Sequence, residues 1–522
     1  MVAPCNLFAD GKCPVRTQPI IYMSANRGAL LTCLFMLAVQ FVFGQSTAPI
    51  SGSKANKQLD VVVQRAGEAF IKDPTAVGLS IGIIHGKQTY FYNFGTVEKG
   101  VSKVPTQNTV YEIGSISKTF TSLLLARAVA EKRVSLQDDV RKYLKGEYPN
   151  LAFAGKPIKL VHLANTTSAL PDNLPDRTSM LQQVNPDSIP SLILKVSSTY
   201  TKDNFYHDLH SVKLDTVPGL ISRHSNAGAQ LLAYILESIY QAPYEKLVEK
   251  YIEKPLHMQS TASVKAGSSL LAVGHNEKGN RMPYHFIDQV EPSGGLRYSA
   301  VDMLKYLAYQ LAETDKAVVL SHQPMWGTPE EEAISLNWSV RKTTDNKRQL
   351  LHTGGTFGFA SYCSFYPELG FGIVVLANES DRGTQGRLQA LADQIIEDMH
   401  GVPPALQAFR SYLATNDYSH AVDVYQAVKK AHPELHLTEE FVNEWGYTLV
   451  REGKIKQAIE LFKLNVSLHP NSWNSYDSLG EAYEMAGDST LSITNYQQSL
   501  ILNPKNTGAV EHLKKPRAAT GK

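Results

Sequence analysis

The sequence carries almost no net charge: 51 Lys and Arg stand against 49 Asp and Glu, which leaves +2. With neither a strong overall field nor a polybasic run, nothing in it points to nucleic acid or an anionic membrane surface. Cysteine is scarce as well. Cys5, Cys13 and Cys33 lie in or before an apolar stretch near the start, and only Cys363 lies in the body. Once that start is removed, a disulfide framework and a cysteine zinc site are both excluded. Glycine (35) and proline (26) are at ordinary levels, which sets aside collagen-like and low-complexity chains. No Walker A pattern is present, and Gly354–Gly358 lacks the Lys-Ser/Thr that a phosphate loop needs. The G-x-S-x-G elbow is absent too. His207-Asp208-Leu209-His210 looks like a metal-ligand pair, but no third cluster follows at metalloenzyme spacing. A loop is predicted there, and no metal or organic cofactor is expected. What the chain does have is 43% hydrophobic residues, enough for a sizeable core, so wholesale disorder is ruled out.

The apolar stretch Ala29–Phe43 (ALLTCLFMLAVQFVF) follows Arg27. It is short for a bilayer span and suits the apolar region of an export signal, with Val42 and Gly44 small enough for cleavage after Gly44. Residues 1–44 are read as that signal, and Met23 sits where it would normally begin. The chain is predicted to be exported, periplasmic or secreted, with no membrane span after cleavage. Residues 45–57 (QSTAPISGSKANK) read as a linker.

Leu59, Val62, Val63, Ala66 and Phe70 follow a helical period. Two β-rich runs come next, Val77–His85 and Gln88–Phe94, joined at Gly86-Lys87. Far downstream, Phe359–Tyr366 and Phe371–Leu376 form a second strand pair, followed by a helix marked by Leu388, Leu391, Ile395, Ile396 and Met399. The middle reads as mostly helical. This is an α+β order over 58–402, in which the end strands share one antiparallel sheet and a helical region is inserted between them. Past Pro403 the texture changes. Gly446, Gly453, Phe462 and Pro470 recur 34 residues later as Gly480, Gly487, Tyr496 and Pro504, with a weaker copy around Ala421, Tyr425 and Pro433. That period matches tetratricopeptide (TPR) helical hairpins over 404–515, serving either as a cap on the body or as a surface for a protein or peptide partner.

Ser115-Ile116-Ser117-Lys118 is an S-x-x-K match, as are Ser51–Lys54 and Ser339–Lys342. Context separates them. Ser51 lies in the linker, and Ser339 lies in an alternating stretch where a strand would turn Ser and Lys to opposite faces. Ser115 follows Gly114 and opens a helical run through Phe120, Leu123, Leu124 and Ala128. There Lys118, one turn on, faces the same way and can reach the Ser115 hydroxyl. A serine hydroxyl needs a nearby base to become a nucleophile, and a lysine is such a base only when burial or positive charge lowers its pKa. The plainer alternative is a serine cap with a solvated lysine.

Around this motif the sequence resembles the serine β-lactamase and penicillin-binding-protein superfamily, class C β-lactamases in particular. The resemblance runs from about residue 59 to about 400. It is carried by Tyr111–Phe120 (YEIGSISKTF), Ile158–Pro171 (IKLVHLANTTSALP), Pro218-Gly219 and His224-Ser225-Asn226, then by Pro255-Leu256-His257-Met258, Gly294-Gly295-Leu296 and His352-Thr353-Gly354-Gly355. The family usually has Gly where Ala169 stands. It implies an antiparallel sheet flanked by helices, with catalytic Ser115 and Lys118. His224 replaces the tyrosine of the family's Tyr-x-Asn motif, as a proton shuttle or as the mark of a weakened enzyme. Asn226, His352, Thr353, Gly354 and Gly355 would bind substrate, with an oxyanion hole at the N–H groups of Ser115 and Gly355. His352 stands where the family has lysine. Being mostly neutral at pH 7, it predicts weaker selection for carboxylate-terminated substrates. An exported serine hydrolase is expected, acting on D-alanyl peptides of cell wall, β-lactams or small esters. The alternative is a decayed site on a scaffold that binds through its repeats.

Overall fold

The computed structural model describes residues 56–514, apart from 183, 260–263, 265–266, 286 and 288–290. The expected export signal, nearly all of the linker and the Ser51–Lys54 match lie outside the described residues. Among those described, no helix is long and apolar enough to cross a membrane.

The first helix, Lys57–Ile71, starts where Asn56 Oδ1 accepts from the Leu59 N–H at 3.2 Å. Its apolar positions recur every three to four residues and bury Leu59, Val62, Val63 and Phe70. It lies against a sheet of eight antiparallel strands: β1 Gly78–His85, β2 Gln88–Gly95, β3 Trp326–Thr328, β4 Glu332–Ile334, β5 Ser339–Lys342, β6 Arg348–Gly355, β7 Ala360–Tyr366 and β8 Phe371–Ala377. Their order is β2-β1-β8-β7-β6-β5-β4-β3. β1 pairs with β8 from Leu79↔Ala377 to His85↔Phe371, so the two ends of the body do share one sheet.

Both faces of the sheet are covered. Alternate residues of the central strands (Ile84, Val374, Leu376, Cys363, Phe365) pack under the inserted helices. The intervening ones (Leu79, Ile81, Ile83, Ile373, Val375, Tyr362) pack under Lys57–Ile71 and Thr384–His400. That double burial explains why β8 reads FGIVVLA without alternation, as strands hidden on both sides do.

In the inserted region, helix Ser117–Ala130 is buried on nearly every side, from Ser117 through Ala126. Helix Asn226–Tyr240 begins at Ser225, whose Oγ accepts from the Gly228 N–H at 2.9 Å. The loop predicted at His207–His210 is instead the end of helix Lys202–Leu209. Thr201 and Asn204 form a capping box at its start, and His210 stacks on Tyr148 at 4.0 Å.

The C-terminal region is helical, in seven segments from Pro404–Thr415 to Thr507–Lys514. It has its own apolar core, including Leu406, Phe409, Leu461 and Phe462. Gly446 faces the Phe462 ring and Gly480 the Tyr496 ring, so both glycines let neighbouring helices approach closely. This region meets the body through Arg341–Glu440 (3.0 Å) and the bond from His436 N–H to Thr344 O (3.0 Å).

Candidate active site

Ser115 lies in a 3-10 turn, Gly114–Ile116, that runs into the buried helix Ser117–Ala130. In a 3-10 turn residues i and i+3 eclipse, which brings Lys118 under Ser115. The Lys118 Nζ lies 2.7 Å from Ser115 Oγ, and it also donates to Asn226 Oδ1 (2.8 Å) and the Ser293 carbonyl (2.7 Å). Ser115 caps nothing, which disposes of the cap alternative. Lys118 is 1% exposed. Burial pushes its amine down to about 7, against an opposing pull from the Asp172 charge. A large fraction of the amine is therefore neutral near physiological pH, as a base must be.

The turn is wedged against β6. Gly114 has φ of 51°, and a Cβ there would sit 2.3 Å from Gly355 N. A Cβ on Gly354 would sit 2.1 Å from Ile113 O. Glycine at both positions is therefore a steric requirement for the backbones to meet. Along β6, β5 pairs only with Arg348–Leu351, so the end of β6 has an open edge. Thr356 N–H bonds Phe359 O at 2.9 Å, which makes Gly355↔Ala360 a non-hydrogen-bonded pair and turns the Gly355 N–H off the ladder toward that edge.

A cavity of about 300 Å³ opens here. Ser115, His224, Asn226 and Gly355 line it together; His352, Thr353 and Gly354 do not. Burial, with a smaller push from Lys118, drives His352 down to about 3, so the ring is neutral, and its Nδ1 sits 2.6 Å from Thr353 O. His224 is not hydrogen-bonded to Ser115 or Lys118. Its Nδ1 lies 2.6 Å from Asp172 Oδ1, with the His224 side chain 55% exposed at the cavity mouth.

Four contributors escaped the sequence reading. Asp172 follows immediately on the Ile158–Pro171 stretch, and its carbonyl accepts from the N–H groups of Asn226 and Ala227 (2.8 and 3.0 Å). That pins it to the start of helix Asn226–Tyr240 beside His224. Asn173 Oδ1 accepts from Asn226 Nδ2 at 3.1 Å. Ser293 acts through a backbone carbonyl, for which no side-chain pattern exists. Arg177 lines the cavity from an irregular segment that shows no periodicity.

The family model for beta-lactamase matches residues 63–396. The chain belongs to the beta-lactamase family. This beta-lactamase-family chain is similar to the "D-alanyl-D-alanine-carboxypeptidase/endopeptidase AmpH" of Escherichia coli K12, 24% identical over 66% of the chain and 90% of that protein. Among solved structures it resembles a "Beta-lactamase/D-alanine Carboxypeptidase" from Yersinia pestis (TM-score 0.56, 24% identity, 65% of this chain and 97% of that one). It also resembles a class C beta-lactamase (TM-score 0.56, 21% identity, 67% of this chain and 100% of that one). At these identities the structural matches speak for the fold.

Proposed function

We propose that this protein is an exported serine hydrolase acting through an acyl-enzyme. Ser115 Oγ attacks a carbonyl carbon while Lys118 takes its proton. The N–H groups of Ser115 and Gly355 hold the developing oxyanion. The leaving amine or alcohol departs with a proton returned through Lys118 or His224, and water then releases the acyl group. The observation that carries this reading is the 2.7 Å contact between Ser115 Oγ and a buried, largely neutral Lys118. Asp172 is read as the positioning residue for His224, holding Nδ1 as the donor and leaving Nε2 as the proton acceptor at the cavity. Substrates of the class named for the relatives, D-alanyl peptides and β-lactams, are in scope, as are small esters. Export rests on the apolar stretch Ala29–Phe43, and the C-terminal helices are read as TPR-like hairpins from their 34-residue spacing.

The test is labelling with a fluorescent penicillin and an activated fluorophosphonate. Label on the wild type and none on Ser115→Ala is expected. A folded wild type that takes up neither probe would sink the hydrolase and leave a scaffold. Hydrolysis of a D-Ala-D-Ala peptide, nitrocefin and a nitrophenyl ester side by side then separates the substrate classes.

A further inference from the structure

The cavity that holds Ser115 has one wall the acylation chemistry does not use. Leu174, Ile193, Tyr200, Phe205 and Tyr234 line it, together with Arg177. Among the described lining residues Arg177 is the only Asp, Glu, Lys or Arg. The one further imidazole there, His285, is pushed down to about 4 by burial and by the Arg177 charge, so it is neutral. Arg177 Nη2 donates to Ser197 Oγ at 3.0 Å, and its Nε is buried with no partner. Among the described residues no carboxylate pairs with this guanidinium. Asp172, whose charge it feels, is engaged by His224 at 2.6 Å, and Asp208 accepts from Tyr200 Oη at 2.8 Å. A half-buried guanidinium without a counter-ion is costly, and an arriving anion would relieve that cost.

We propose that Arg177 is a carboxylate anchor, and that the cavity selects acyl groups whose apolar chain ends in a carboxylate. The inference rests on the hydrolase reading and gives it a substrate class. The planar fork of an arginine matches a carboxylate with two parallel hydrogen bonds, and the aliphatic and aromatic wall takes the methylene chain. The neutral His352 fits the same division of labour, because the permanent positive charge of the cavity then sits at Arg177 rather than on the β6 edge.

Three nitrophenyl esters of matched length test it: hexanoyl, adipoyl and 6-aminohexanoyl, at pH 7.5 and about 0.15 M salt to damp long-range steering. The wild type is expected to favour adipoyl over hexanoyl by about tenfold or more in kcat/KM, with 6-aminohexanoyl the poorest. In Arg177→Gln that adipoyl-to-hexanoyl ratio falls to near one, and in Arg177→Glu the order of adipoyl and 6-aminohexanoyl reverses. A second measurement does not depend on turnover. On Ser115→Ala, calorimetry compares N-methyl adipamic acid with N-methylhexanamide, and the acid binds about tenfold more tightly or better. Equal kcat/KM for the esters together with equal affinity for the two amides overturns the anchor and leaves the hydrolase standing. Preferential binding of the acid without hydrolysis of any ester supports the anchor and removes the hydrolase.

Discussion

The body and the C-terminal helices are built on different principles. Below residue 403 the described interior holds Glu112, Lys118, Glu253, Glu291, Arg297, Asp302 and Glu379, all under 6% exposed. Above it, the buried polar residues are uncharged asparagines and serines such as Asn465, Ser478 and Asn506. Removing a charge from water costs several kcal/mol unless it is paired. Some of the body's charges meet that cost through partners, as Arg297 and Glu291 do at 3.0 Å. Lys118 meets it by giving up its proton. The helices carry no such load and rest on apolar packing with neutral polar groups bonded within it, as Asn506 Nδ2 donates to Ser499 Oγ at 3.0 Å. The contrast teaches where the chain tolerates instability for chemistry.

The sharpest way to break that contrast is Lys118→Met. Acylation of a fluorophosphonate is expected to fall by about a thousandfold or more, since the nucleophile loses its base. The fold, however, is expected to gain. Lys118 has its pKa depressed in the folded state, so unfolding takes up a proton anywhere between about 7 and the ordinary lysine value near 10.5. The penalty is full at pH 7 and below and fades as pH rises toward 10.5. Melting curves should show Lys118→Met more stable than wild type at pH 6, with the gap closing by pH 10. A mutant less stable at every pH would mean that the three hydrogen bonds of Nζ outweigh its burial. By the same titration, wild-type kcat/KM should fall about tenfold per unit below pH 7 and level off above it; a flat profile from pH 5 to 8 would remove Lys118 as the base.

Next in size is Asp172→Asn. It keeps the shape but lets the His224 ring turn or change tautomer, and acylation should drop by about ten- to a hundredfold with an altered pH profile. An unchanged profile would reduce Asp172 to a helix-start contact. Gly446→Val probes the other side of the comparison. A Cβ there would lie 2.5 Å from the Phe462 ring, so overpacking should cost about 1–3 kcal/mol, read as earlier melting of the helical region with acylation unchanged. Loss of acylation in that variant would couple the two regions. Smallest is Glu440→Gln. It removes an ion pair whose acid is 72% exposed, and should change stability by about 1 kcal/mol or less.

Much of the body could be read from residues alone. The two end hairpins announced themselves by β-rich runs around short turns, and their sharing of one open sheet places β1 beside β8. Ser115 and Lys118 were readable because a helical start makes i and i+3 neighbours. The short strands β3 and β4 were harder, since three residues give no period to detect, whereas the alternation around Ser339 already marked β5. The helix Lys202–Leu209 carries its start signal at Thr201 and Asn204, while His207 and His210 near its end mimic a ligand pair. Asp172 and Arg177 stand in an irregular stretch, so only the folded chain brings them to the cavity. His352 could be read as neutral, but that it stays out of the cavity that Gly355 lines shows only in the folded chain.

The backbone contact between Gly114 and the Gly354-Gly355 pair has a temporal consequence. The two segments are separated by most of the body, and beyond Leu351 β6 pairs with β7 alone. A growing chain therefore holds its alcohol and amine long before the second of the two proposed oxyanion donors, the Gly355 N–H, has been made. On the hydrolase reading the site is completed late in synthesis, and a polypeptide ending before residue 355 would lack that donor however well its central helices had formed.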